Sequence, residues 1–287
     1  MTAKLKIRQP AIRNVLEKLY SKYNRRDLIK PDPLQFIYKY SSPADMEIAG
    51  LLSAALAYGR VEQIQNSLTR LFSIIGDSPQ TFVRDFSPAH RRKLSGFKHR
   101  FTSGDDISDL LMLLKKILEQ SGNIEKYFLS GYSIADKNLI PALSNFCDSL
   151  LDLYAARHGE NISSGLKYLL ASPSGGSACK RLNLYLRWMV RDDDVDAGLW
   201  KSIDKAKLVV PVDVHMGRLC RILGFHDNKT ISMKTALTIT AKFAEIEPAD
   251  PVKYDFSLSR VGIVENCTGK YSPACTFCEL SGFCPNK

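Results

Sequence analysis

Apolar residues recur at helical spacing along nearly the whole chain. Ile12, Val15, Leu16 and Leu19 form one face, and Ile48, Leu51, Leu52, Ala55 and Leu56 form another. Leu68, Leu71, Phe72 and Ile75 predict a helix over 63–75. Ile107, Leu110, Leu111, Leu114 and Leu118 predict one over 106–119, and Leu143, Phe146, Leu150, Leu151 and Tyr154 one over 139–154. Positions three and four apart share one side of an α-helix, so each set is a stripe that must be buried. The same period predicts helices at 178–190, 214–223, 233–243 and 253–264. No segment alternates as a strand and no two segments read as a hairpin. The pattern predicts an all-α fold.

Three stretches interrupt the pattern. Ser172-Pro173-Ser174-Gly175-Gly176-Ser177 reads as a tight turn between two helices. Residues 191–207 are polar and carry Asp192, Asp193, Asp194 and Asp196. They read as a solvated connector or domain crossover, with divalent-cation binding the weaker alternative. Arg91-Arg92-Lys93 and Lys98-His99-Arg100 fall among loops and short helices, where such runs are usually a solvated face. DNA contact is the alternative there.

Composition narrows the class. The 287 residues are 45% hydrophobic and 24% charged, which excludes wholesale disorder and suits one large or two modest domains. No apolar run approaches the roughly 18 residues of a membrane helix. The first residues, Met1 to Lys6, lack the apolar stretch of a signal peptide, so a cytoplasmic location is expected. Lys and Arg number 40 against 30 Asp and Glu, a net charge of +10. That surplus favours a polyanionic partner, most often nucleic acid.

Seven cysteines are present, and four lie in the last 21 residues as Cys267-x7-Cys275-x2-Cys278-x5-Cys284. An odd count clustered at one end argues against a disulfide framework. A Cys-x2-Cys pair lets two thiolates meet one centre from a single turn, and the outer cysteines can close a four-thiolate cage. A [4Fe–4S] cluster and structural zinc both suit such a cage. Zinc sites more often carry two Cys-x2-Cys pairs, so the single pair favours the cluster, with zinc as the alternative. The tail is loop-like, with Gly269, Pro273, Gly282 and Pro285, and has little core of its own without a staple. Cys179 and Cys220 read as packed thiols, Trp188 as core and His215 as a packing or hydrogen-bonding residue.

At these cysteines the chain resembles the endonuclease III and MutY branch of the helix-hairpin-helix DNA glycosylases. That branch ends in a four-cysteine loop of nearly this spacing; the first gap here is one residue longer. Upstream, Val210-Pro211-Val212-Asp213-Val214-His215-Met216 resembles the family's aspartate motif, and Gly176-Ser177-Ala178-Cys179-Lys180-Arg181-Leu182-Asn183 resembles its hairpin-to-helix segment. Leu51-Leu52-Ser53-Ala54 resembles its first core helix. The similarity covers about 46–76 and 165–287, and leaves 77–164 unmatched, as a divergent or inserted segment. The whole chain looks like a member of the bacterial family called domain of unknown function 2400. Three departures stand out. Ala178 replaces the second hairpin glycine, Ala55 stands where endonuclease III carries a polar DNA-inserting residue, and Lys180 and Asp213 are 33 positions apart, nearly double the usual gap.

The resemblance implies two helical domains with a cleft between them. A multi-helix domain over 46–194 carries the hairpin near 172–177; residues 1–45 with 195–287 form a domain closed by the [4Fe–4S] loop at 267–284. It implies base-excision repair: glycosylase chemistry with AP-lyase activity on double-stranded DNA that is damaged or abasic, at the nucleoid, with no obligate protein partner. Lys180 would be the Schiff-base nucleophile and Asp213 the carboxylate that stabilises the cationic sugar. An attacking lysine must be neutral, which burial or nearby cations would favour; Arg181 could serve if it reaches the same cavity. Asp213 also suits the N-cap of the helix that follows. Gly176, Ser177, Arg181, Arg218, Arg221 and Lys270 would contact DNA, mostly its backbone. Cys267, Cys275, Cys278 and Cys284 would ligate the metal. A non-catalytic nucleic-acid-binding or damage-sensing protein and a monofunctional glycosylase are the alternatives on the same fold.

Overall fold

A computed structural model describes residues 3–263 and 267–284. The ends of two sequence features, Val264 and Pro285, lie outside the described residues. Those described form α1 (Ala3–Tyr23), α2 (Pro43–Ala55), α3 (Val61–Ile75), α4 (Pro79–Arg84), α5 (Pro88–Leu94), a ribbon of β1 (Lys98–His99) and β2 (Thr102–Ser103), α6 (Gly104–Ser121), α7 (Ile124–Leu129), α8 (Ile140–His158), α9 (Ser164–Leu169), α10 (Lys180–Val190), α11 (Val214–Ile222), α12 (Met233–Ala244) and α13 (Asp255–Ile263). The fold is all-α apart from that ribbon. Among the described residues no helix is long and apolar enough to cross a membrane.

The long helices sit where the apolar period puts them. In α6 the Ser103 hydroxyl accepts from the Asp106 amide at 3.2 Å, while the Asp106 carboxylate accepts from the Ser103 amide at 2.7 Å. This reciprocal box satisfies donors that a helix start leaves open. Leu110, Leu111 and Leu114 on the apolar face are buried. Helices α4, α5, α7, α8 and α9 pack around α6. The segment 77–164 is therefore integral to the core rather than an appendage. Gly165 lets α9 approach: a Cβ there would fall 2.2 Å from the Asp106 carboxylate.

Four short helices, α4, α5, α7 and α9, escape the periodic reading, because six or seven residues make fewer than two turns. The β1–β2 ribbon, with two residues per strand, is likewise too short to alternate. Helix α10 starts at Lys180, two residues later than the period suggests, because Cys179 takes a left-handed φ of 45°.

Residues 191–207 correct the expectation of a solvated connector. Asp196 is 1% exposed and lies between two buried arginines, 3.2 Å from Arg187 Nε and 2.6 Å from Arg191 Nη1. Arg187 also pairs with Asp255, and Arg191 with Asp193 and Asp250. Buried charges need this pairing to be tolerated at all. The segment then folds back on α10: the amides of Ala197 and Trp200 donate to the carbonyls of Trp188 and Met189. Trp200 Nε1 donates to Glu47 on α2 at 2.8 Å. Glu47 also accepts from the Ile124 and Glu125 amides, capping α7. The long gap between α10 and α11 is thus a packed return path.

Helix α10 lies against α2, and α13 packs against both α1 and α11. The N-terminal helix therefore packs against the last described α-helix. Trp188, Cys179 and Cys220 are buried, as read.

Candidate functional site

The hairpin turn comes first. Pro173–Gly175 form one turn of 3₁₀ helix, and Gly176 follows with φ +79°, a conformation that favours glycine. The Gly176 carbonyl accepts from the Met233 amide, so the turn is held against the start of α12. Gly176 and Ser177 are exposed. Ala178 is buried, so the position that departs from the glycine pattern faces the core.

Lys180 is the first residue of α10, and Asp213 is the N-cap of α11. The return path brings them together: Lys180 Nζ lies 2.7 Å from Asp213 Oδ2, and each side chain is about one third exposed (34% and 32%). The other carboxylate oxygen, Oδ1, accepts from the Met216 amide at 2.8 Å. Asp213 therefore caps and pairs at once. Burial pushes its carboxyl up, but Lys180, the Met216 amide and His215 outweigh that and hold it below the usual aspartate range. The helix N-termini of α10 and α11 also place partial positive charge beside it.

Asp255 stands behind the pair, within electrostatic reach of both groups. It is 4% exposed, and burial pushes its carboxyl up to about 6 against the pull of Arg187 and Lys180, with Asp213 adding to the rise. Nothing in the spacing of the sequence marks Asp255 as a neighbour of Lys180. Phe101, exposed next to the basic run that ends at Arg100, lies outside the sequence reading of that run; an aromatic residue beside basic ones in a non-helical stretch is the available signal.

Arg181 does not join Lys180. Its guanidinium donates to the Ala55 carbonyl at 2.6 Å and to the Tyr168 carbonyl. It also lies 4.0 Å from the Tyr168 ring centroid and 5.3 Å from that of Tyr58. Its donors hold α2 to α9. Arg218 is similarly engaged: Nη1 donates to the Cys267 carbonyl at 2.9 Å. Arg221 and Lys270 are exposed, with Arg221 bonded to the Asn228 carbonyl. His215 is exposed rather than packed. In the basic stretch Arg91 is tied to Asp105 and Asp109, while Arg92, Lys93, Lys98 and Arg100 face solvent.

Cys267, Cys275, Cys278 and Cys284 all line one cavity, closed by Ile222 at the end of α11 and by Leu280. Pro273–Thr276 form a 3₁₀ turn that presents Cys275, and the Cys278 amide donates back to the Cys275 carbonyl. The Ser272 amide lies 3.4 Å from Cys275 Sγ and donates to it, an arrangement suited to a thiolate. Among the described residues no group of three or more His, Cys, Asp or Glu is gathered as a single-ion site. Four thiols with an apolar wall and an amide donor fit an iron–sulfur centre by donor chemistry.

No curated protein and no solved structure matches the chain. A match over residues 32–264 takes in the helices around α6 and the Lys180–Asp213 pair, and stops short of the cysteine loop. The family so matched carries the description "Protein of unknown function (DUF2400)", and the chain belongs to it.

Proposed function

We propose that this protein is a DNA base-excision enzyme, a glycosylase with AP-lyase activity, in which Lys180 is the nucleophile and Asp213 the assisting carboxylate. The observation that carries the reading is the 2.7 Å contact between these two side chains, made across 33 positions of sequence at the N-termini of two helices. A Lys–Asp pair in that setting suits a sugar carbon that becomes electron-poor. Asp213 offers its carboxylate to the positive charge that grows on the sugar as the glycosidic bond breaks. The departing base leaves with the bonding pair and needs a proton, while Lys180 must lose one before it can attack. Passing the proton from Lys180 to the base meets both needs. The freed amine then bonds to C1′, and opening of the sugar ring gives the Schiff base. Loss of the C2′ proton and of the 3′ phosphate by β-elimination cuts the strand. The target nucleotide has to leave the duplex stack for any of this to occur.

Positioning on DNA falls to backbone groups and surface cations. The exposed turn at Gly176 and Ser177 leads into the N-terminus of α10, a setting that attracts phosphate. Arg221 and Lys270 are exposed and available for backbone charge. Cys267, Cys275, Cys278 and Cys284 would hold a [4Fe–4S] cluster, with zinc as the alternative occupant. Such a centre, when bound, supplies a covalent staple for a tail with little apolar core. Double-stranded DNA is the partner, and the nucleoid the corresponding location.

Borohydride trapping tests the reading. Anaerobically purified protein is mixed with a duplex holding an abasic site and reduced with borohydride. A covalent adduct that forms with the parent and disappears in Lys180→Ala is the expected result. Binding without an adduct would refute the bifunctional mechanism. Base release without strand cleavage would then mark a monofunctional enzyme, and no base release a binding protein.

A further inference from the structure

We infer that Phe101 is a wedge that enters the DNA base stack beside the nucleotide handled by Lys180 and Asp213. This rests on the reading of that pair as a DNA-processing site. The ribbon pairs His99 with Thr102, which leaves Arg100 and Phe101 as its two-residue tip. Arg100 takes a left-handed φ of 55°, uncommon for a side-chain-bearing residue and used here to turn the chain. Phe101, an apolar ring, is 55% exposed at that tip.

The tip is held rigidly. His99 is 2% exposed, with Nδ1 at 2.9 Å from Ser67 Oγ and Nε2 at 3.0 Å from the Tyr58 carbonyl. The Tyr58 hydroxyl reaches the His99 carbonyl at 2.9 Å and Thr102 Oγ1 at 2.6 Å. The Phe101 ring stacks on Tyr58 at 5.0 Å and meets Tyr168 edge-on at 4.6 Å. A half-exposed ring propped by two others loses little freedom on binding, so its contact energy is not spent on ordering.

The same aromatic group leads to the candidate site. Tyr58 and Tyr168 flank the guanidinium of Arg181, which is adjacent in sequence to Lys180. Lys98 and Arg100 are exposed on the ribbon itself, and exposed Arg60 and Lys167 lie two residues after Tyr58 and one before Tyr168, the ring neighbours of Phe101, so cations border the aromatic group. A rigid apolar ring bordered by cations matches a base stack flanked by phosphates, which is how apolar wedges unstack and kink DNA. Ala55 cannot perform this task. It is 2% exposed and its carbonyl is bound by Arg181. The wedge thus comes from the ribbon between α5 and α6, a segment that the resemblance left unmatched.

The test uses a duplex with a tetrahydrofuran abasic analogue and 2-aminopurine as the facing base, beside a fully paired control. The parent should raise the 2-aminopurine fluorescence and prefer the abasic duplex. Phe101→Ser should lose the fluorescence response and about tenfold of the preference, within the range for loss of one base–aromatic stack. Phe101→Leu, still an apolar wedge, should retain both. Thermal melting confirms that each variant is folded. A Phe101→Ser variant that responds like the parent would overturn the wedge, as would a parent that gives no response. Borohydride adducts are scored in parallel on the same protein preparations with a duplex holding a true abasic site, because the tetrahydrofuran ring has no C1′ hydroxyl and cannot form a Schiff base. A Phe101-dependent response without an adduct would leave the wedge standing and remove the lyase chemistry. An adduct without a Phe101 effect would do the reverse.

Discussion

Replacing Asp213 by Asn and by Ala separates its two roles. Asn keeps an oxygen for the Met216 amide and caps helices about as well as Asp, but it discards the charge that faces Lys180. Ala removes both. Loss of a cap costs about 1 kcal/mol. The pair with Lys180 is about one third exposed on each side, and ion pairs open to solvent are worth about 0.2–1 kcal/mol. Asp213→Asn should therefore cost less than about 1 kcal/mol, and Asp213→Ala about 1–2 kcal/mol. At roughly 2–4 °C per kcal/mol for a chain of this size, Tm should fall by less than about 4 °C for Asn and by about 2–8 °C for Ala. Chemistry should divide differently. Both variants lose the charge that meets the developing cation, and base release in single turnover should fall by about 10²-fold or more in each. Calorimetry and single-turnover base release on the same preparations give both readouts. An Asn variant that releases base at the parental rate would refute the role of the charge. An Asn variant as unstable as the Ala variant would refute the division between cap and pair.

Asp196→Asn should be far more damaging to stability, by about 3 kcal/mol in a urea titration, because it removes a carboxylate shared by two buried arginines; a loss below about 1 kcal/mol would contradict the buried network. Asp255 gives a pH prediction. Its folded carboxyl titrates near 6 against an ordinary 3.8, so the folded state holds more protons between those values and this group's contribution to stability falls as pH rises from about 4 to about 6. The full swing is about 3 kcal/mol, and the difference in unfolding free energy between the parent and Asp255→Asn should trace it; a difference that rises across that window would reverse the sign. Anaerobic protein should carry about four iron and four sulfide per chain, both lost in Cys278→Ala; zinc in place of iron would select the other occupant. Arg218→Ala should speed removal of that iron by a chelator, since it frees the Cys267 carbonyl and uncovers Gly269, whose backbone lies against the Arg218 side chain.

Helical periodicity made most of the fold legible, because long amphipathic segments such as α6 and α8 must bury a continuous stripe. It failed where elements were too short to carry a period, as in α4, α5, α7, α9 and the ribbon. It also failed where charge was buried. The run Asp192 to Asp196 has the composition of a solvated loop, and only the arginines at 187 and 191, five residues and one residue before it, show that its charges are neutralised from within. Lys180 and Asp213 stood out as candidates through the resemblance to the glycosylase motifs, and Asp213 also through its capping pattern. Their contact was not legible, since it depends on a return path held by Trp200 and Glu47, residues far apart in sequence. The partners of Arg181 were not legible either, because nothing local distinguishes an arginine that reaches outward from one that binds two carbonyls.

Helix α11 gives these separate features a common frame. Its first turn is capped by Asp213, the residue paired with Lys180. Arg218, a turn later, holds the cysteine loop, and Ile222 at its end lines the four-thiol cavity. The nine residues span about 14 Å as one rigid element, so the candidate catalytic pair and the cysteine cavity occupy opposite ends of a single rod. Helix α13 packs along that rod and begins with Asp255, which connects to the Arg187–Asp196 network under α10. Under the proposed reading, closure of the cysteine loop would therefore stiffen the presentation of Asp213 to Lys180 through this rod. A protein that lost only an appended tail would keep its Lys180–Asp213 geometry when the loop opened. Here the rod that carries Asp213 also carries the wall of the cavity, so under the proposed reading a loop stapled by a cluster would also hold that carboxylate in place.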